Sequence, residues 1–192
     1  MKALVFDAYG TLFDVFSVTS LCESLFPGSG TALATTWRSK QLQYSLLRSM
    51  MDRYANFWRV TQDALVFSTR TLGLELTAEN RDRLMDAYRT LHAFPDVKPG
   101  LGIHDLLDEI ISVDDIKVFK PHPRVYQLAS TRLRIAAADI GFVSSNSWDV
   151  AGAASAGLTA LWIQRAAAEP PEELGYQAAR VVHAITDLPA HI

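Results

Sequence analysis

Asp7 closes an apolar run, Ala3-Leu4-Val5-Phe6, and Gly10 follows it closely enough to turn the chain sharply. A second polar group, Ser144-Ser145-Asn146-Ser147-Trp148-Asp149, follows another such run, Ile140-Gly141-Phe142-Val143. Ligands of open α/β sheets bind outside the carboxyl ends of the strands, so adjacent strands would deliver both groups to one reactive edge. Each has a plainer reading. Asp7 could cap a following helix, and 144–149 could be a polar turn opening a helix at Ala151. Two cations bear on the choice: Lys120, set beside Pro121 and Pro123, and Arg38, whose planar guanidinium keeps its charge at any ordinary pH and suits an anion. Singly, each reads as a solvated surface charge.

The elements that must position these residues follow from apolar patterning. Continuous apolar runs suit strands of a parallel sheet buried on both faces. Residues 3–6, 140–143 and 159–163 are such runs, and 110–113 and 181–185 are expected to join them. Spacers of helical length between 114 and 180 make a βαβ series. Between about 15 and 95 the pattern turns helical: Leu33, Trp37, Tyr44 and Leu47 share one face, and Leu84, Tyr88 and Leu91 another, after a helix cap at Thr77. Phe94 to Gly100, with two prolines and a final glycine, reads as the return linker. The expected fold is α/β, a Rossmann-like parallel sheet core (1–14 and 97–192) with a helical cap insertion (15–96).

Composition narrows the function. A net charge of −3 with scattered basic residues argues against a nucleic-acid partner. No apolar run reaches the length of a membrane span, and one cysteine, Cys22, cannot form an internal disulfide. Strand-like sequence begins at the first residues without a leader pattern, so a soluble cytoplasmic protein is expected.

The octet Asp7-Ala8-Tyr9-Gly10-Thr11-Leu12-Phe13-Asp14 resembles the first motif of the haloacid dehalogenase superfamily, whose aspartate forms a covalent intermediate with substrate. Phosphatases of that superfamily carry a second Asp two positions on, where this chain has Tyr9. A halide needs no proton to leave, and the tyrosine-bearing motif is similar to that of the L-2-haloacid dehalogenases. The resemblance covers most of the chain. Trp37-Arg38-Ser39-Lys40-Gln41-Leu42 and Arg53-Tyr54-Ala55-Asn56-Phe57 look like that subfamily's cap segments. Phe119-Lys120-Pro121-His122-Pro123-Arg124-Val125-Tyr126 looks like its lysine motif, in which an ammonium beside the carboxylate favours its charged form. His122 receives no role.

The resemblance implies roles for these residues. Asp7 would attack the α-carbon of an L-2-haloalkanoate, and halide would leave toward Arg38, Asn146 and Phe57. Water directed by Asp149 and Lys120 would then hydrolyse the ester, releasing a D-2-hydroxyalkanoate. Thr11, Tyr126 and Ser144 complete the implied catalytic set. Ala8, Tyr9, Leu42, Phe57, Asn146 and Trp148 join Arg38 as implied substrate contacts, the large apolar ones excluding water, although each is equally a core residue by type. The resemblance implies no cofactor and no metal ligand, a small 2-haloacid as the partner, and a homodimer as the frequent state of similar proteins.

One departure stands out. The family's strand ending in Ser-Asn-Gly, which helps bind the substrate carboxylate, has no counterpart. After Val97-Lys98-Pro99-Gly100 the chain passes directly to Leu101-Gly102-Ile103-His104-Asp105, with about thirty residues missing, close to one strand-plus-helix unit. The loss exposes a strand edge or lets the 110–113 run move in. Two alternatives therefore stand beside the dehalogenase: an impaired or inactive binding member of the superfamily, and a metal-dependent phosphatase using Asp149 as a metal carboxylate.

Overall fold

The computed structural model describes residues 1–97, 107–165 and 170–190. It divides into two compact units, Met1–Phe13 with Ala93–Ile192, and Asp14–His92.

The first unit is built on a parallel sheet of β1 (Ala3–Phe6), β2 (Ile140–Ser144), β3 (Thr159–Ile163) and β4 (Arg180–Val182), in that spatial order. Val5 pairs with Phe142, Phe142 with Ala160, and Trp162 with Val181. Side chains alternate across the pleat. Ile140, Phe142, Ala160 and Trp162 pack on one face with Tyr126 and Ala129 of α5 (Pro123–Leu133) and Val150 and Ala153 of α6 (Ser147–Ser155). Val143, Leu161, Ile163 and Val182 pack on the other with Leu188. Cover on both faces explains why these strands read as unbroken apolar runs.

Two strand expectations change. Residues 110–113 form no strand: Ile110 is 61% exposed, and Ser112 instead caps a 3₁₀ turn at Val113–Asp115, its hydroxyl accepting from the Asp114 amide. Acidic residues flank the run on both sides, and of its two isoleucines only Ile111 packs, partly buried, against the core cluster of Tyr126 and Phe142. The 181–185 run is strand only at its start, because Asp187 accepts the His183 and Ala184 amides and turns the chain into a 3₁₀ helix, Ile185–Ala190. Among the described residues β1 pairs on one side only, leaving it at the sheet edge. The junction at 98–106, where the missing unit was expected, lies outside the described residues.

The second unit holds α1 (Thr19–Leu25), α2 (Gly30–Met50), α3 (Phe57–Thr71) and α4 (Ala78–Ala87). The Asn56 and Thr77 side chains accept amides of the first turns of α3 and α4, and Glu23 accepts the Gly28 and Gly30 amides at the start of α2. A buried polar chain ties α2 to α3 and to the end of α4. Trp37 donates to the Thr61 carbonyl (2.8 Å), Gln41 to the Thr61 hydroxyl (2.8 Å), and Tyr88 to Gln41 (2.9 Å). α4 stops before Leu91: the amides of residues 88–90 bond three residues back, which tightens the turn and ends the helix.

Candidate active site

At the carboxyl end of β1 the chain turns at Gly10, whose φ of +92° is a conformation glycine adopts readily. The Thr11, Leu12 and Phe13 amides all point at the Ala8 carbonyl. This tight loop brings the buried Thr11 hydroxyl to within 3.0 Å of Asp7 Oδ2. No helix starts here for Asp7 to cap, and its carboxylate is committed elsewhere. Lys120 Nζ donates to Oδ1 (2.8 Å), and Asn146 Nδ2 donates to Oδ2 (3.0 Å).

Lys120 precedes α5, whose first turn is opened by Pro123 and capped by His122, Nδ1 accepting the Arg124 amide (3.2 Å). That capping gives His122 a structural place. The same ammonium donates to Asp149 Oδ2 (2.8 Å) and lies 4.9 Å from the Phe142 ring centre. Asp149 is fully buried in the first turn of α6, and its other oxygen accepts the Tyr126 hydroxyl (2.8 Å). Asp149 therefore does no capping with its side chain. The result is one chain of charge: Tyr126, Asp149, Lys120, Asp7, then Thr11 and Asn146.

Burial pushes the Lys120 ammonium toward neutrality, but the charges and hydrogen bonds of Asp149 and Asp7 outweigh it and hold the lysine above its ordinary range. Burial pushes the Asp149 carboxyl up. Lys120 pulls it down, the negative charge of Asp7 opposes that pull, and the net direction is upward. Tyr126 is raised by burial first and by Asp149 next, so it stays a hydrogen-bond donor. Away from this cluster, burial lifts the Cys22 thiol to about 11, too high for a thiolate at neutral pH.

Of the residues singled out in the sequence, Asp7, Thr11, Lys120, Tyr126, Asn146 and Asp149 form this one bonded network. Ser144 is fully buried at the end of β2 with its hydroxyl accepting the Asn146 amide (3.1 Å), so it shapes the loop bearing Asn146. Ala8 and Tyr9 lie in the loop that follows Asp7, the Tyr9 carbonyl receiving Asn146 Nδ2 at 3.4 Å, and Trp148 is half-buried in the first turn of α6. Arg38 (9% exposed) and Leu42 lie on α2, and Phe57 begins α3, all in the helical unit.

Sequence reasoning missed Ser145, whose amide donates to the Thr11 hydroxyl (2.8 Å) and whose hydroxyl donates to the Gly10 carbonyl (2.7 Å). It also missed Trp162, whose indole donates to the Ser145 carbonyl (3.0 Å). Ser145 sat inside a motif already noticed. Trp162 looked like strand filling, and nothing in its run marked the indole N–H.

A strand-end carboxylate is gripped by a lysine, a threonine and an asparagine, and residues 84–157 match the family model "haloacid dehalogenase-like hydrolase". The chain is 42% identical to an (S)-2-haloacid dehalogenase of Pseudomonas sp. (strain YL), over 86% of this chain and 83% of that protein. Its structure resembles the L-2-haloacid dehalogenase RSc1362 (TM-score 0.93, 39% identity, covering 98% of this chain and 96% of that one). It also resembles the L-2-haloacid dehalogenase of Xanthobacter autotrophicus with chloropropionic acid covalently bound (TM-score 0.91, 36% identity, 99% and 97%). This chain belongs to the (S)-2-haloacid dehalogenase family, hydrolases of carbon–halide bonds. The Pseudomonas alignment spans 193 positions yet uses 86% of the 192 residues here, so about 28 positions of that relative have no counterpart.

Proposed function

We propose that this protein hydrolyses L-2-haloalkanoic acids to D-2-hydroxyalkanoic acids through an ester on Asp7. One observation carries the reading: Lys120 bridges Asp7 Oδ1 and Asp149 Oδ2 at 2.8 Å each, while Thr11 and Asn146 hold Asp7 Oδ2. A carboxylate fixed at both oxygens is aimed, and aiming a nucleophile removes much of the entropic barrier to displacement. The α-carbon takes the Asp7 oxygen as the carbon–halogen bond breaks, inverting the centre. Water then attacks the Asp7 ester carbonyl, giving up a proton to Asp149; the acyl C–O bond breaks, that proton passes to the departing oxygen of the 2-hydroxy acid, and Asp7 returns as a carboxylate with its second proton released to solvent, while Lys120 holds the charge between the carboxyls and Tyr126 steadies Asp149.

Arg38, Leu42 and Phe57 are assigned to the substrate on the strength of the sequence resemblance, with Arg38 taking the departing halide; Ala8, Tyr9 and Trp148 are assigned in the same way. On this reading the helical unit is a cap and the sheet unit the catalytic core. The shortened chain favours a second reading, a protein that binds a 2-haloacid without turning it over. Halide release from the two enantiomers of 2-chloropropionate separates them. Turnover of the L form that is lost in Asp7→Asn is expected, with one heavy oxygen entering Asp7 in a single turnover in labelled water. Binding of the acid without halide release supports the second reading, and label in product alone refutes the ester.

No helix among the described residues is long and apolar enough to cross a membrane. The reading assigns the enzyme to the cytoplasm, with no nucleic-acid partner, as a homodimer. Leu46, Leu47, Met50 and Met51 at the end of α2, all 40% exposed or more, support a self-contact there.

A further inference from the structure

Arg165 lies two residues past β3, outside every motif the chemistry drew on, yet it grips the nucleophile loop from behind. Its Nη2 donates to the Thr11 carbonyl at 2.6 Å, and its Nη1 donates to both carboxylate oxygens of Asp96 at 3.2 and 3.4 Å. The guanidinium lies on the Phe94 ring, 3.8 Å from its centre. Phe94 in turn donates its amide to the Leu12 carbonyl (3.0 Å), and Asp96 Oδ2 accepts the Ile185 amide (2.7 Å). Consecutive carbonyls of the loop, those of Thr11 and Leu12, are thus held by one assembly whose parts come from the return segment, the end of β3 and the C-terminal 3₁₀ helix.

The held residue is the one whose hydroxyl touches the nucleophile. Thr11 Oγ1 donates to Asp7 Oδ2 and accepts the Ser145 amide, so a shift of the Thr11 backbone is passed to both. A planar guanidinium bonds a carboxylate and a carbonyl from two nitrogens of one rigid fork, where an ammonium offers a single nitrogen on a flexible stem. We infer that Arg165 is a positioning residue for the dehalogenation proposed above, acting through Thr11 to aim Asp7, with Asp96 and Phe94 as its seat.

Arg165→Lys keeps a cation for Asp96 while losing the bond to Thr11. With L-2-chloropropionate, kcat is expected to fall about tenfold or more, since small misplacements of a nucleophile are costly. KM should stay within about threefold, as only the aim of the reacting group has changed. In a Thr11→Val background the same substitution should change kcat less than about twofold, because the hydroxyl it positions is gone. Phe94→Leu, which removes only the ring beneath the guanidinium, should show the same split at smaller amplitude. Additive losses of Arg165→Lys and Thr11→Val, or a kcat unchanged in Arg165→Lys, overturn the inference. Should the unmutated protein release no halide, the dehalogenase reading fails and the inference is read by NMR instead. The Asp7 carboxyl carbon and the Ser145 amide are expected to shift in Arg165→Lys, and unchanged resonances overturn it.

Discussion

Gly152 on α6 has space for a hydrogen and little else. A Cβ there would lie 2.9 Å from Tyr126 Cζ and 3.1 Å from Pro121 Cβ, and closer still to the Tyr126 hydroxyl that Asp149 needs. Gly152→Ala should therefore cost about 1–3 kcal/mol in urea unfolding, the usual range for overpacking, and slow halide release as Tyr126 is pushed off Asp149. In a Tyr126→Phe background the activity loss should largely vanish; an undiminished loss would sink the steric account. The raised Asp149 carboxyl makes a pH prediction. On the proposed mechanism water is activated by the charged form of Asp149, and in the ester Asp7 has lost the negative charge that helps to raise it, so the acid limb of single-turnover ester hydrolysis should lie below the Asp149 titration seen by NMR in the free enzyme. An acid limb above that titration would contradict this. The stability signs follow from the same shifts. A carboxyl raised on folding contributes stability that is complete below its unfolded value and lost as pH rises through its folded one. Lys120, also raised, contributes across neutral pH and loses its share only above the ordinary lysine value of 10.5.

Local signals settled some elements and misled on others. Thr77 was legible as a helix start, and its hydroxyl does accept the Asn80 amide (3.1 Å). Thr77→Ala should lower stability by about 1 kcal/mol in urea unfolding and leave halide release unchanged. A loss of activity without a loss of stability would show that the cap does something else. The Leu84, Tyr88, Leu91 spacing fitted a helix that ends at Ala87, because periodicity marks a face and not the turn that closes it. The run at Ile110 had the composition of a buried strand, yet Ser112 caps a 3₁₀ turn there, and apolar composition does not encode the cap that ends the run. β1 and β2 carry the contrast into solution: β2 is fully buried with partners on both sides, while β1 is half-buried and paired on one side among the described residues. Amides of β1 should exchange with deuterated water faster than those of β2, and equal protection would mean that something covers the β1 edge.

For the whole molecule, the exposed apolar end of α2 makes the self-contact testable. Light scattering should give the mass of two chains, and Met50→Glu with Met51→Glu should give one; a single-chain mass for the unmutated protein would refute the homodimer. The sequence by itself determined the α/β class, because strands buried on both faces need unbroken apolar runs and helices need a periodic face. It also made most of the bonded network legible, because Asp7, Lys120, Asn146 and Asp149 fall in motifs with recognisable neighbours. Only the tertiary structure decided that Lys120 stands between two carboxylates, that Ser145 and Trp162 hold the loop that holds Thr11, and that Arg165 clamps that loop from the far end of β3. Those bonds join residues from 17 to 154 positions apart. Spacing along a chain specifies which face a side chain takes, but which distant carbonyl or carboxylate it meets is fixed only when the sheet assembles.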